Sequence, residues 1–222
     1  FLNGPWVLLM PTLIILTCVV LLPLLLSLWT SFTPFKLTKP DTLYRFVGFR
    51  NYERLIGDFD FWIAFGRTVL FLAIALNLEL VFGLGIALLI NKITYGQRTL
   101  RTLMMFPMMF SPILVGFQWK YIFNDNIGLM NNFLREFGVL QPIPWLVDGI
   151  LANVSIMAAE IWSSTSVFAI LLLAGLLGIP KDPIEAAKVD GCNSWQVFKN
   201  ITLPFLMPFV SVSYTHLTLP TT

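Results

Sequence analysis

Long apolar runs separated by short polar connections set the pattern of this chain. Residues 5–29, "PWVLLMPTLIILTCVVLLPLLLSLW", contain no charge, and about 20 apolar residues suffice for a helix to cross a bilayer. Trp6 and Trp29 bracket the run as an interfacial aromatic belt would. The run exceeds the roughly 7–15 residues of a signal-peptide core, and no small-residue cleavage site follows it. It therefore predicts a spanning helix. A second span is predicted over 68–90, a third over 102–123 with Pro107 and Pro112 inside it, and a fourth over 150–178. A fifth opens at 204–210 and runs onward. The expected fold is an all-α polytopic membrane protein with four full spans and the start of a fifth.

The polar connections carry the orientation signal. Residues 91–101 hold Lys92, Arg98 and Arg101 without an acid, and 179–204 holds Lys181, Lys188 and Lys199. Both lie on the same side of the membrane. The opposite side has the larger total, because 30–67 contributes six basic residues. Short loops weigh most in the positive-inside rule, which favours 91–101 as cytoplasmic.

Composition agrees with the pattern. The 222 residues are 57% hydrophobic and 12% charged, against about 25% charged in a soluble domain. A net charge of +2 gives no reason to expect nucleic acid. Cys18 and Cys192 fall in different media and form no expected disulfide, and with a single histidine they leave no metal-ligand cluster. Gly83 and Gly85 lie inside an apolar run without a preceding strand, so they read as helix-packing residues, not as a dinucleotide fingerprint. No phosphate-binding loop occurs, and no cofactor or catalytic residue is expected.

The connection 179–204 breaks the apolar pattern most sharply. Asp182 is the expected N-cap of a short helix, with Pro183 in its first turn and Glu185 favourable near its positive end. Gly191 is the expected left-handed stop, and Ser194 the expected cap of a second short helix over 195–200. Pro204 would open the next span. Ala186 and Ala187 leave a bare face that another backbone could approach. A plain amphipathic loop on the membrane surface is the alternative.

Glu185-Ala186-Ala187, three residues, Gly191, nine residues, then Ile201-x-Leu203-Pro204 resembles the signature loop of binding-protein-dependent ABC importer permeases, with every position filled. Further stretches are similar to the sugar and glycerol-phosphate branch: "FVGFRNYERLI" (46–56), "NKITYGQRTLRTLMMFPMMFSPILVG" (91–116), "FNDNIGLMNNFL" (123–134) and "AGLLGIPKDPIEAAKVDG" (174–191). The resemblance covers roughly 5–210 and points to the first of two permease subunits. It implies a type I ABC importer transmembrane domain over 1–210 in a bacterial-type inner cell membrane. It also implies that 179–204 is a cytoplasmic coupling loop. Glu185, Ala186, Ala187, Asp190, Gly191, Ile201, Leu203 and Pro204 would be its ATPase-coupling residues. The implied partners are an ABC ATPase dimer, a second permease, an extracytoplasmic substrate-binding protein, a sugar and the bilayer. A non-sugar cargo such as a polyamine, phosphate or amino acid is the alternative, and a secondary transporter a more distant one that would need an internal repeat.

Candidate path residues are those that are costly in lipid. Glu79 with Asn77 in the second span, and Glu160, Trp162, Ser163 and Ser164 in the fourth, are read either as substrate contacts or as packing groups. Trp162 could stack on a sugar. Pro107 and Pro112 are read either as a gating hinge or as a static kink. Residues 211–222 resemble the translation of a sequencing-library adapter, which would interrupt the fifth helix and place the native end near Val210. His216 lies in that tail and is assigned no function.

Overall fold

The structure is a computed structural model that describes residues 5–218, with side chains described for 9–215. The side chains of Trp6 and His216 thus lie outside the described residues. Among the described residues the fold is helical, with no strand. The chain divides into two compact units, Phe1–Thr68 and Val69–Thr222.

In the first unit α1 (Pro5–Leu16) joins α2 (Leu22–Ser31) through a widened π-turn, Thr17–Leu21. The turn has a local cause. Pro23 has no N–H, and its ring crowds the carbonyl four residues back, which a wider turn accommodates. The Leu22 N–H reaches the Thr17 carbonyl across the widened turn. Leu9–Ser31 is long and apolar enough to span. Its side chains are almost all exposed, as lipid-facing groups would be. Beyond it, Asn51 on α3 (Arg50–Ile56) donates to the carbonyls of Ser31 and Thr33, both at 2.8 Å. Phe32 packs against Phe46, Phe49 and Tyr52. The polar connection is therefore an ordered cap on the span.

α4 (Phe59–Lys92) and α8 (Gly149–Gly178) are the other two continuous helices long and apolar enough to span. The predicted third span is not one helix. It is α5 (Gln97–Met105), a 3-10 turn over Pro107–Met109 and α6 (Pro112–Ile122), bent by 90°. Pro112 sets the break. The residue before a proline is pushed out of the helical region, and Ser111 has φ −61° and ψ 140°. The prolines thus bend the segment sharply where the sequence reading expected a hinge or a kink.

α8 is the centre of the second unit. Its buried face (Phe168, Ala169, Leu172, Leu173, Gly175 and Leu176) meets α4 on one side and α11 (Leu203–Thr218) on the other. α4 presents Ala75, Glu79, Gly83, Ala87 and Ile90 at three- and four-residue spacing, one stripe of a helix. Absent side chains let the backbones close: a Cβ at Gly83 would lie 2.5 Å from Phe168 Cβ. Gly175 gives α11 the same access, with Leu206 and Phe209 atoms 2.8–2.9 Å from where its Cβ would be.

Between α6 and α8, one side chain orders the connection. Asn131, on α7 (Leu129–Glu136), is buried. Its amide donates to the carbonyls of Asp125 and Ile143, and its oxygen accepts from the Ile143 N–H and the Trp145 indole. All four bonds are satisfied, so a buried polar group costs nothing here and fixes the loop path.

Candidate functional site

The connection 179–204 folds as a capped frame. α9 spans Lys181–Val189 and α10 spans Ser194–Val197. The α9 N-cap is Pro180, not Asp182, which sits inside the first turn. Asp182 there complements the helix dipole more directly than Glu185, which lies a turn further on. The stop at Gly191 is a Schellman motif. Gly191 has φ +81°. The Cys192 N–H donates to the Ala187 carbonyl at 2.9 Å and the Gly191 N–H to the Lys188 carbonyl at 3.1 Å.

The cap of α10 is Asn193, one residue before the expected Ser194. The Gln196 N–H donates to Asn193 Oδ1 at 2.9 Å, and the Asn193 N–H donates to Gln196 Oε1 at 2.8 Å. This is a reciprocal capping box, and the signal for it was Gln196 three residues on. α10 then continues through a π-turn, Phe198–Thr202, straight into α11. Pro204 does not open a separate helix. It follows a widened turn inside a continuous one, the arrangement already met at Pro23.

Two faces result. Inward, Ile184 packs on the core formed by the ends of α4 and α8, and Thr202 and Leu206 are buried. Ile201 and Leu203, expected as the anchors, are half-buried on either side of Thr202. Outward, Glu185, Ala186, Asp190 and Gly191 are exposed, and Ala187 is half-buried. Val189 at 88% exposure lies on α9 with Glu185, and Trp195 at 67% lines the gap between α10 and the ends of α4 and α8. The sequence reading missed both. Their signal was an apolar residue without a place in either helix's buried stripe.

Gly191→Val would force a β-branched residue into the left-handed region, where an L-residue costs roughly 1–2 kcal/mol. No atom lies within 4 Å of the Cβ that would be added, so the cost falls on the turn alone. The expected result is a chain that still inserts but whose loop is cut faster by added protease. Unchanged proteolysis would remove the turn argument.

The polar residues of the spans are only partly gathered. Glu79 is 1% exposed, whereas Asn77 is exposed and donates to the Ala73 carbonyl of its own helix at 2.7 Å. Two residues apart is about 200° around a helix, so the two cannot share a face. Glu160 is exposed and accepts from Ser164 Oγ at 2.9 Å. Ser163 and Trp162 are half-buried. The Trp162 ring meets Trp119 edge-on at 5.9 Å, and Trp119 stacks on Phe123. The ring proposed for a sugar platform is thus engaged by an aromatic neighbour. Thr165, next to the named hydroxyls, is buried with its own hydroxyl unpartnered.

Residues 79–215 match the family of binding-protein-dependent transport system inner membrane components. The chain belongs to this family. The match takes in the stripe of α4 from Glu79 onward, the bent pair, α8 and the whole capped frame. Among its relatives, the trehalose/maltose transport system permease protein MalF of Thermococcus litoralis is 35% identical over 94% of this chain and 70% of its own length. A probable ABC transporter permease of Sinorhizobium fredii is 34% identical over 92% of this chain and 65% of its own. The alpha-glucoside permease AglF of Rhizobium meliloti is 32% identical over 97% of this chain and 63% of its own. The chain therefore spans about two thirds of the length of these relatives. A bacterial ABC transporter that imports the polysaccharide alginate has the same fold, with TM-score 0.77 and 23% identity over 93% of this chain and 69% of that one. As a member of this family the chain is a multi-pass membrane permease component, of the all-α type I importer fold, and not an enzyme.

Proposed function

We propose that this chain is a permease subunit of an ATP-driven importer for a carbohydrate, set in a bacterial-type inner membrane. It would form half of the translocation path beside a second permease. An extracytoplasmic binding protein would deliver the sugar, and an ABC ATPase dimer would drive the cycle. The supporting observation is the frame over 179–204. It is capped at both turns, anchored inward through Ile184 and bare outward at Glu185, Ala186 and Val189. A capped frame transmits a push, and a bare apolar and acidic face gives a partner something to grip. Relatives named for trehalose/maltose and alpha-glucoside transport support a sugar as cargo.

Of the path residues, Glu79, Glu160, Ser163 and Ser164 are proposed to border the route, with Asn77 and Trp162 as packing groups beside it. The test is uptake of labelled disaccharides by cells carrying the complete importer. Uptake should disappear when the partner ATPase is inactivated. Uptake that persists without ATP hydrolysis would overturn the reading, and ATP-dependent uptake of only non-sugar solutes would overturn the cargo.

A further inference from the structure

Between the capped frame and the ends of α4 and α8 lies a pocket of about 430 Å³. Its walls are mostly apolar, with Leu88, Leu176, Ile184 and Phe198 among them, beside the polar Asn91, Ser194 and Thr202. Its mouth carries Lys92 and Lys188, and no acidic residue lines it. Two helices build it in the same way. On α4, Leu88 is followed four residues later by Lys92; on α9, Ile184 is followed four residues later by Lys188. Four residues is about one helical turn, or about 6 Å. Each helix thus contributes to the lining an apolar side chain and, one turn towards its end, a cation. The acids of α9, Asp182 and Glu185, do not line the pocket.

The position matters as much as the lining. α4 and α8 both end here, Lys92 and Gly178 being their last residues. The apolar run of α4 stops at Ile90 and that of α8 at Gly178, so the pocket lies beside the polar ends of two helices long enough to span, the side on which lipid headgroups lie. An occupant must be apolar at one end and anionic at the other, and it must be abundant at that depth. Basic pockets between spans recognise anionic lipid headgroups by this charge arrangement. We infer that this pocket binds an anionic phospholipid. The phosphate sits between Lys92 and Lys188, and the start of an acyl chain lies against Leu88 and Leu176. Bound there, the lipid wedges the frame against the spans and stiffens the joint through which the loop moves. The inference depends neither on the cargo nor on the ATPase contact proposed above.

Cys192 is free, half-buried and part of the pocket wall, so its thiol reports occupancy. The intact protein with Cys18→Ser would be placed in nanodiscs of phosphatidylcholine alone, or of phosphatidylcholine mixed with phosphatidylglycerol. The rate of Cys192 labelling by an uncharged maleimide is then measured. Phosphatidylglycerol should slow labelling at least about fivefold, since each lysine near an anionic headgroup contributes a factor of about five. Lys92→Gln with Lys188→Gln should remove the difference, and Lys92→Arg with Lys188→Arg should keep it. Equal rates in the two lipids would overturn the inference. So would slowing that survives in the glutamine variant, which would be a general surface effect. A thiol that is unreactive even in phosphatidylcholine would mean that protein fills the pocket, and would overturn it as well.

Discussion

Glu185→Lys in the assembled importer is expected to lower sugar uptake at least about tenfold while the protein still reaches the membrane in normal amount. The two halves of that result have separate causes. Glu185 is exposed, mid-helix and outside the first turn of α9. Surface substitutions of that kind change stability by about 0.5 kcal/mol or less, so folding and insertion should survive. Its exposed neighbours on α9 are mixed: Ala186 and Val189 are small or apolar, Asp182 is acidic, and Lys181 and Lys188 are basic. In that setting a carboxylate is the charge that a basic partner surface would meet. Reversing it sets like charges together, at a cost of several kcal/mol. About 1.4 kcal/mol already corresponds to a factor of ten. Glu185→Gln should fall between the two, since it removes attraction without adding repulsion. Quantitative membrane blots and uptake on the same cells separate the effects. Wild-type uptake by Glu185→Lys would mean that the outward face is not where the ATPase docks.

Gly83→Ala should destabilise the protein, and Gly85→Ala should not. The two glycines are indistinguishable in the string "GLG", yet they face different surroundings. A methyl at Gly83 would meet Phe168 Cβ at 2.5 Å and the Ala169 backbone nitrogen at 3.1 Å. Phe168 is fully buried, and neither contact is the tip of a flexible side chain. α4 and α8 would have to separate, which typically costs about 1–3 kcal/mol. A loss of that size lowers the thermal midpoint by several degrees, about 2–4 °C per kcal/mol for a chain of this size. At Gly85 nothing lies within 4 Å. There alanine replaces a poor helix former with the best one, worth up to about 1 kcal/mol in the stabilising direction. Opposite signs for the pair in a detergent melting experiment would establish the crossing at Gly83. A stable Gly83→Ala would mean that the helices do not meet there.

The same contrast shows which features were legible in the residues. The length of an apolar run sets whether it can span, because backbone groups in hydrocarbon must satisfy each other within the helix. That is a local property, so the continuous spans could be read from the string. The Glu-Ala-Ala loop was readable for a similar reason. A positive φ at Gly191 needs glycine, and the residue that needs it stands in the string. Caps were read with an error of one or two positions, at Asp182 for Pro180 and at Ser194 for Asn193. A cap depends on which side chain closes a bond to a residue three places on, and Gln196 decided that choice. In the third segment hydropathy gave the extent and the prolines gave the break, but the 90° size of the bend at Ser111–Pro112 was not readable from the string.

Other features depend on neighbours remote in sequence. Glu79 and Asn77 looked like one polar site, and the packing of α4 on α8 buried the first and left the second exposed. Trp162 looked free for a sugar until Trp119 met its edge. The pocket mouth joins Lys92 to Lys188 across 96 residues of sequence. By itself the sequence determined the membrane class and the left-handed turn, because each follows from local backbone and solvation chemistry, and its spaced Glu-Ala-Ala pattern carried the resemblance to the family. The tertiary structure alone decided which glycine is a helix crossing, which carboxylate is buried and which lysines share a pocket. Those outcomes depend on the close approach of groups that the chain order holds far apart.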